Sequence, residues 1–207
     1  MWENANVTSY QAAPVGRFVP AWLRGELVRK SLHMMIAFVP SIAAAVGVQA
    51  AVVLLSFGGP GLPGIDLPAY GGLGEYQFVL TGASGEGALP ANLVRMGGED
   101  LERVGLEYPD LVGAADVVVT KPGYGIVTDC IAAGTRMVYT DRGDFPEYPI
   151  LTREMVGYFP AVFASNDEVR GGRLGAALAA VREVAVPERP RIDGAEVAAG
   201  WVLGRLG

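Results

Sequence analysis

The sequence predicts an α/β protein, with a doubly wound, Rossmann-like parallel sheet in residues 50–207. From Ala51 onward, short apolar runs alternate with segments of helical periodicity, which is typical of parallel βαβ units with right-handed crossovers. Val117–Val119 is a continuous β-branched run, as expected for a strand that is buried on both faces of a sheet. These observations favour one doubly wound α/β domain, preceded by a separate segment in residues 1–49.

Six strands follow from this alternation. They are predicted at Ala51–Ser56, Tyr76–Thr81, Leu93–Met96, Asp116–Thr120, Arg136–Thr140 and Ala161–Ala164. Each is a short apolar or β-branched run. Phe57, Gly58 and Gly59 follow the first strand, and a glycine or polar residue follows each of the others. Because helical segments separate the later strands, we expect these strands to lie parallel in one sheet.

Helices are predicted where apolar residues recur at helical spacing. The segments are a helical turn within Leu106–Ala114, then Val127–Ala133, Tyr148–Val156, one helix after strand six, and Gly194–Leu206. Ser165 or Asn166 would cap the helix after strand six, with Asp167 and Glu168 in its first turn, where negative charge suits the helix dipole. Its apolar stripe is expected to be Leu174, Ala177, Leu178 and Val181. The last helix is expected to be amphipathic, with Val197, Trp201, Val202 and Leu206 on its apolar side.

Residues 1–49 read as an irregular segment followed by an apolar helix. There is no charged residue between Met34 and Ile65, and a long uncharged apolar stretch is typical of a transmembrane helix. Arg29 and Lys30 precede it, which would place the N-terminus on the cytoplasmic side. Membrane association through this segment is therefore one interpretation.

The other interpretation is a packed helix. The strand that begins at Ala51 removes part of the apolar stretch, and Pro40 interrupts the remainder, Met34–Val48. That remainder is short for a hydrocarbon core of about 30 Å. The sequence leaves both interpretations open, with a cytoplasmic location expected in either case.

Composition excludes several classes of function. The net charge is −6, with no basic patch after Lys30, so nucleic-acid binding is not expected. The chain has one cysteine, Cys130, and one histidine, which argues against a disulfide framework, a zinc site or a Ser-His-Asp triad. We expect Cys130 to be a buried, inert thiol, and we predict neither a metal nor a cofactor.

Two glycine-containing loops follow predicted strands and are candidates for ligand binding. Ser56 ends the first predicted strand, and Gly58 and Gly59 come directly after Phe57, where glycines let a ligand approach the backbone closely. The second loop, Lys121-Pro122-Gly123-Tyr124-Gly125, follows the fourth strand and precedes a helix. Lys121 can neutralise phosphate charge, while the open N–H groups near Gly123 and Gly125 suit an anion at a helix N-terminus. Each loop has an alternative interpretation as an ordinary strand-to-helix connection.

The segment Lys121–Thr135 with the following Asp141–Tyr148 resembles the donor-binding half of nucleotide-sugar glycosyltransferases with two Rossmann domains (the GT-B type). It is most similar to proteins related to the UDP-glucuronosyltransferases and to the N-terminal part of L-arabinokinase-like sugar kinases. The specific part of the resemblance is Ala114–Glu154, within a likeness that extends from about Val52 to the C-terminus.

The resemblance implies roles for individual residues. It places Ser56 and the following glycines opposite the donor diphosphate, and it places Gly123 in the diphosphate-binding loop. Asp129 corresponds to the acidic residue that binds the ribose hydroxyls, where many relatives have Glu. Glu147 would reach the sugar hydroxyls, and Arg142 a phosphate or carboxylate. From the residues themselves, Thr128 could add a hydroxyl hydrogen bond, and Tyr124 belongs to the same loop.

The implied function is that of a glycosyltransferase-like domain that binds a nucleotide-diphosphate sugar, most similar to the UDP-sugar enzymes. In such enzymes the catalytic base usually lies on the other Rossmann domain. Nothing before Ala51 is long enough for that domain, so we expect this chain to bind a donor but to need an acceptor domain or partner chain for turnover. Two alternatives stay open: a membrane-associated protein acting on a lipid-linked substrate, and a non-catalytic Rossmann-like interaction module.

Overall fold

The computed structural model describes residues 50–58, 61–82, 84–85 and 87–206. The strands are β1 Ala51–Leu55, β2 Tyr76–Leu80, β3 Leu93–Arg95, β4 Val117–Thr120, β5 Arg136–Tyr139 and β6 Ala161–Phe163. All neighbouring strands are parallel, in the order β3-β2-β1-β4-β5-β6. The predicted parallel sheet is therefore confirmed, with each predicted strand found within one residue of its bounds.

Helices cover both faces of this sheet. They are a 3-10 helix Leu67–Gly72, α1 Gly98–Arg103, α2 Tyr108–Ala114, α3 Tyr124–Ala133, α4 Tyr148–Met155, α5 Asn166–Arg170, α6 Gly175–Glu183 and α7 Gly194–Leu206. The 3-10 helix and α1 were not among the sequence predictions. The helix predicted from Val127 begins earlier, at Tyr124, and Gly123 is its N-cap.

The alternation of side chains in the strands divides the core into two layers. Val53 and Leu55 of β1 pack on one face, with apolar residues of the 3-10 helix, α5 and α6. Val52 and Leu54 pack on the opposite face, with apolar residues of α1 to α4. Because both faces are covered, the strands read as continuous apolar runs, as expected for a parallel sheet. The doubly wound, Rossmann-like class is confirmed for the described residues.

The strand order reverses next to β1, and this feature positions the candidate site. After β1 the chain adds β2 and β3 on one side, and it returns to add β4, β5 and β6 on the other. The carboxyl ends of β1 and β4 are adjacent, with Leu55 beside Val119 and the Ser56 N–H donating to the Val119 carbonyl at 3.0 Å. In open α/β sheets, ligands bind in the crevice at such a switch point.

One predicted helix is wrong. The single helix expected after strand six is two helices, α5 and α6, separated at Gly171 and Gly172. Gly172 has φ +62°, and a Cβ there would lie 3.0 Å from the carbonyl carbon of Ala69, so glycine is required by both conformation and space. The predicted Ser165 cap is present, since its hydroxyl accepts from the Glu168 N–H at 3.2 Å.

The last helix has the predicted bounds, but its apolar side does not pack against the sheet. Val197, Trp201 and Val202 are exposed, Trp201 to 59%. The guanidinium of Arg205 lies 3.6 Å from the centroid of the Trp201 ring. The predicted helix is therefore present, and these three apolar residues are exposed.

The expectations for residues 1–49, including the apolar helix and the membrane interpretation, lie outside the described residues. Among the helices that the structure does describe, none is both long and apolar enough to cross a bilayer.

Candidate functional site

A cleft of about 580 Å³ lies over the carboxyl ends of β1, β4 and β5. Of the residues predicted from sequence, it brings together Ser56, Gly58, Lys121, Gly123, Tyr124, Gly125 and Arg142. Phe57, Tyr108, Thr120, Ile126 and Phe145 also line it. Gly59 lies outside the described residues. The two glycine loops thus share one rim of the sheet, at the switch point, and we call this space the switch-point cleft.

The loop after β1 forms one side of the cleft. Ser56 is 7% exposed and Phe57 is buried in the core, so the backbone is anchored immediately after the strand. Gly58 follows with φ +73°, in the left-handed region that glycine adopts at little cost. The chain therefore turns sharply away from the sheet and leaves the strand end open to the cleft.

The first turn of α3 forms the opposite side. Gly123 is the N-cap and supplies no capping side chain, and the first backbone hydrogen bond of the helix runs from the Val127 N–H to the Gly123 carbonyl. The N–H groups of Tyr124, Gly125 and Ile126 therefore have no partner within the helix. They point out of the N-terminal end of the helix, where the helix dipole has its partial positive charge. This arrangement favours an anion.

Lys121 adds a positive charge between the two loops. Its ammonium donates a hydrogen bond to the carbonyl of Gly61, which links the loop after β4 to the loop after β1. Partial burial, followed by the positive charge of Arg142, lowers the pKa of Lys121 below its ordinary value. The two cations are therefore close enough to repel one another.

Arg142 reaches the cleft from the loop after β5. One guanidinium nitrogen donates to the carbonyl of Pro122 at 2.6 Å, and the group lies 4.1 Å from the centroid of the Phe145 ring. The same nitrogen would clash with a Cβ on Gly123, so a cation lies against the positive end of α3. Within the described part of the chain, no ion pair includes Lys121 or Arg142. An anion in the cleft would relieve this concentration of positive charge.

Tyr108 was not predicted as a site residue. It is the first residue of α2, and its hydroxyl donates to Ser56 Oγ at 2.7 Å. The hydroxyl of Thr81 donates to the same Oγ at 2.9 Å. Pro109 after Tyr108 indicates a helix start, but the contact with Ser56 joins residues 52 apart in the sequence. No local signal could have revealed it.

Three predicted site residues do not line the cleft. The Thr128 hydroxyl donates to the carbonyl of Gly125 at 2.7 Å, within its own helix. Asp129 is half-buried on α3, and burial raises the pKa of its carboxyl group. Glu147 is exposed at the N-cap of α4. Its carboxylate is hydrogen-bonded to Tyr124, and after desolvation its charge raises the pKa of Tyr124.

Cys130 is buried against the sheet, with no exposed surface. Burial, and then the charge of Asp129, raises the pKa of its thiol well above the ordinary value. The predicted burial is therefore confirmed, and a thiol in this state is expected to be a poor nucleophile.

Neither a protein-family profile nor a curated protein matches the chain. Among solved structures it is similar to the glycotransferase of kitacinnamycin, at 20% identity over 65% of this chain and 35% of that one, with a TM-score of 0.47. It is also similar to the glycosyltransferase SnogD of Streptomyces nogalater, at 20% identity over 77% of this chain and 44% of that one, with a TM-score of 0.47.

A third similar structure is Arabidopsis thaliana UGT89C1 complexed with UDP, at 16% identity over 78% of this chain and 39% of that one, with a TM-score of 0.46. The chain spans less than half the length of each of these three proteins. The first two are glycosyltransferases.

Proposed function

We propose that this chain binds the diphosphate of a nucleotide-sugar donor in the switch-point cleft and serves as the donor half of a glycosyltransferase. One observation carries the proposal: Lys121, Arg142 and the uncapped N-terminus of α3 converge on one space at the rim where the strand order reverses. Two neighbouring phosphates would match two cations and a row of backbone N–H groups.

The geometry supports a diphosphate over a single phosphate because the positive groups come from separate loops. Lys121 follows β4 and Arg142 follows β5, while the open backbone at Gly58 follows β1. A charge-assisted hydrogen bond contributes roughly 1.5–3 kcal/mol. A ligand with negative charge at two adjacent groups could contact all three loops at once.

The same groups would serve glycosyl transfer. When the bond between sugar and nucleotide breaks, negative charge develops on the diphosphate, and fixed positive groups stabilise it without reorganising. The resemblance of Lys121–Thr135 to the diphosphate-binding loop of the GT-B enzymes supports this assignment and favours a UDP-linked donor. Such enzymes take the acceptor and the catalytic base from a second domain. We therefore propose that turnover needs a further domain or a partner chain.

Calorimetric titration of the chain with UDP, and separately with uridine, tests the proposal. UDP should bind, and uridine should bind at least about tenfold more weakly, because it lacks the groups that Lys121 and Arg142 would contact. Equal affinity for the two compounds would mean that the diphosphate does not contribute to binding. No heat with UDP, at protein and ligand concentrations in the millimolar range, would reject the proposal.

A further inference from the structure

A chain of three hydroxyl groups lies at the edge of the switch-point cleft. Tyr108 donates to Ser56 Oγ at 2.7 Å, and Thr81 donates to the same atom at 2.9 Å. The three residues come from α2, from the end of β1 and from the end of β2. Both Ser56 and Tyr108 line the cleft. This cluster converges on a single serine oxygen.

The hydrogen-bond capacity of Ser56 is nearly filled. A serine hydroxyl has two acceptor positions and one donor, and the bonds from Tyr108 and Thr81 occupy both acceptor positions. The Ser56 N–H is also engaged, with the Val119 carbonyl at 3.0 Å. The other acceptor within reach of Thr81, the Leu55 carbonyl, is more distant at 3.4 Å. The Ser56 hydroxyl proton is therefore directed away from both neighbours, and the side chain borders the cleft.

We infer that Tyr108 and Thr81 are positioning residues that hold the Ser56 hydroxyl as a hydrogen-bond donor to a phosphate oxygen in the cleft. The inference rests on the proposed diphosphate site and adds two residues that direct one of its donors. Tyr108 and Thr81 act through Ser56 in this arrangement. Each hydrogen bond that Ser56 accepts polarises the O–H group of Ser56 and so strengthens the hydrogen bond that Ser56 donates.

The position of Tyr108 is fixed by its helix. The Glu107 N–H is bound to the Asp110 carboxylate at 2.9 Å, and Leu111 and Val112 of the next turn are buried. Pro109 restricts the backbone beside it. Burial raises the pKa of Tyr108, and the hydrogen bond with Ser56 opposes this in part; the phenol is protonated at neutral pH.

Because Tyr108 is assigned a role only through Ser56, a double-mutant cycle is the decisive experiment. Tyr108→Phe removes one hydroxyl, and it should weaken UDP binding about three- to tenfold, the range of one net hydrogen bond. In a Ser56→Ala background the same change should have little further effect, since the two residues form one coupled unit. Uridine affinity should not change, because the bond is to phosphate.

Tyr148→Phe is the matched control. The Tyr148 hydroxyl donates to the Thr140 carbonyl at 3.3 Å, and the residue does not line the cleft. Loss of the Tyr148 hydroxyl should leave UDP affinity unchanged. If Tyr108→Phe lowers stability too far for binding to be measured, Thr81→Val removes the second bond to Ser56, and the same cycle applies.

The outcomes separate the inference from the proposed function. If the wild-type chain binds UDP and neither Tyr108→Phe nor Thr81→Val weakens binding, the positioning role is wrong and the diphosphate site stands. An equal loss in the wild-type and Ser56→Ala backgrounds would show that the residue acts independently of Ser56, which also overturns the inference. If the wild-type chain does not bind UDP, both are rejected.

Discussion

Lys121 and Arg142, which follow different strands, bring two positive charges into one cleft, and after partial burial the charge of Arg142 is the second cause that lowers the pKa of Lys121. Two like charges in a partly desolvated space raise the free energy of the ligand-free protein. Backbone carbonyls of Gly61 and Pro122 compensate in part. A bound anion would compensate the repulsion between Lys121 and Arg142 more fully than these carbonyls do. The two charges should therefore contribute to the affinity for an anion.

Removing either charge should weaken anion binding. Lys121→Gln and Arg142→Gln should each reduce UDP affinity about tenfold or more, because each deletes a charge-assisted contact of roughly 1.5–3 kcal/mol. Titration calorimetry of the two variants measures this directly. Binding should also weaken as salt is added, since the contacts are ionic.

Arg103→Gln provides a control for the charge variants. Arg103 lies on α1 in an exposed pair with Asp100 and does not line the cleft. Exposed pairs of this kind contribute little, so both stability and UDP affinity should stay close to wild type. If Arg103→Gln weakens binding as much as Arg142→Gln, the effect comes from net charge and not from the cleft.

A side chain at Gly123 should impair the site without unfolding the protein. A Cβ there would clash with the guanidinium of Arg142, which can move because it ends a flexible side chain. The backbone at Gly123 is extended, with φ −154°, so alanine causes no conformational strain. Gly123→Ala should therefore leave the melting temperature nearly unchanged and weaken UDP binding, and Gly123→Val should abolish it.

Gly200 of α7 is the matched position for this comparison, since a Cβ there meets nothing within 4 Å. Gly200→Ala should leave binding intact and slightly stabilise the helix. Wild-type affinity in Gly123→Val would contradict the placement of the ligand against the first turn of α3.

UDP affinity should fall as the pH rises through the lowered pKa of Lys121 in the free protein. A bound anion favours the ammonium form and so raises this pKa. Between the free and bound values binding takes up a proton, and affinity must decrease with pH in that window. Calorimetry at alkaline pH in two buffers of different ionisation enthalpy measures the uptake.

Lys121→Arg separates this effect from titration of the ligand. A guanidinium stays charged throughout the range, so the variant should lose the part of the pH dependence that Lys121 causes. Identical pH profiles for wild type and Lys121→Arg would exclude Lys121 from the site.

Stability should depend on the two-layered core and not on the apolar side of α7. Leu54 has no exposed surface in the central strand, whereas Leu203 on α7 is 68% exposed. Leu54→Ala should lower the free energy of unfolding by about 2–5 kcal/mol, and Leu203→Ala by less than about 0.5 kcal/mol. Urea unfolding measures both, and a large loss with Leu203→Ala would mean that α7 is packed in solution.

The sheet could be predicted because its strands are buried on both faces. The run at Val117–Val119 and the alternation with helices reflect local burial, which leaves a direct pattern in the sequence. The break at Gly171 and Gly172 was missed because the residues on either side keep an apolar pattern that fits one helix. The close approach of Gly172 to Ala69 comes from a distant segment.

The site also has residues that the sequence predicts and residues that depend on distant contacts. Loops that follow predicted strands placed Ser56, Lys121 and Gly123 on one rim, since the carboxyl ends of parallel strands share an edge. Tyr108 could not be found, because its contact with Ser56 joins α2 to the residue after β1. Thr128 was expected to donate to a ligand, but its hydroxyl bonds to Gly125 within the helix, a local alternative that is common for threonine in helices.

The central claim is that a nucleotide diphosphate binds between the loops after β1 and β4. Amide chemical-shift mapping of the isotope-labelled chain, titrated with UDP and with uridine, tests it most directly. With UDP the largest shifts should occur at Gly58, Tyr124, Gly125 and Ile126, and uridine should not reproduce them. Shifts concentrated near Ala51 and Asp116, at the opposite rim of the sheet, or no shifts at all, would contradict the account.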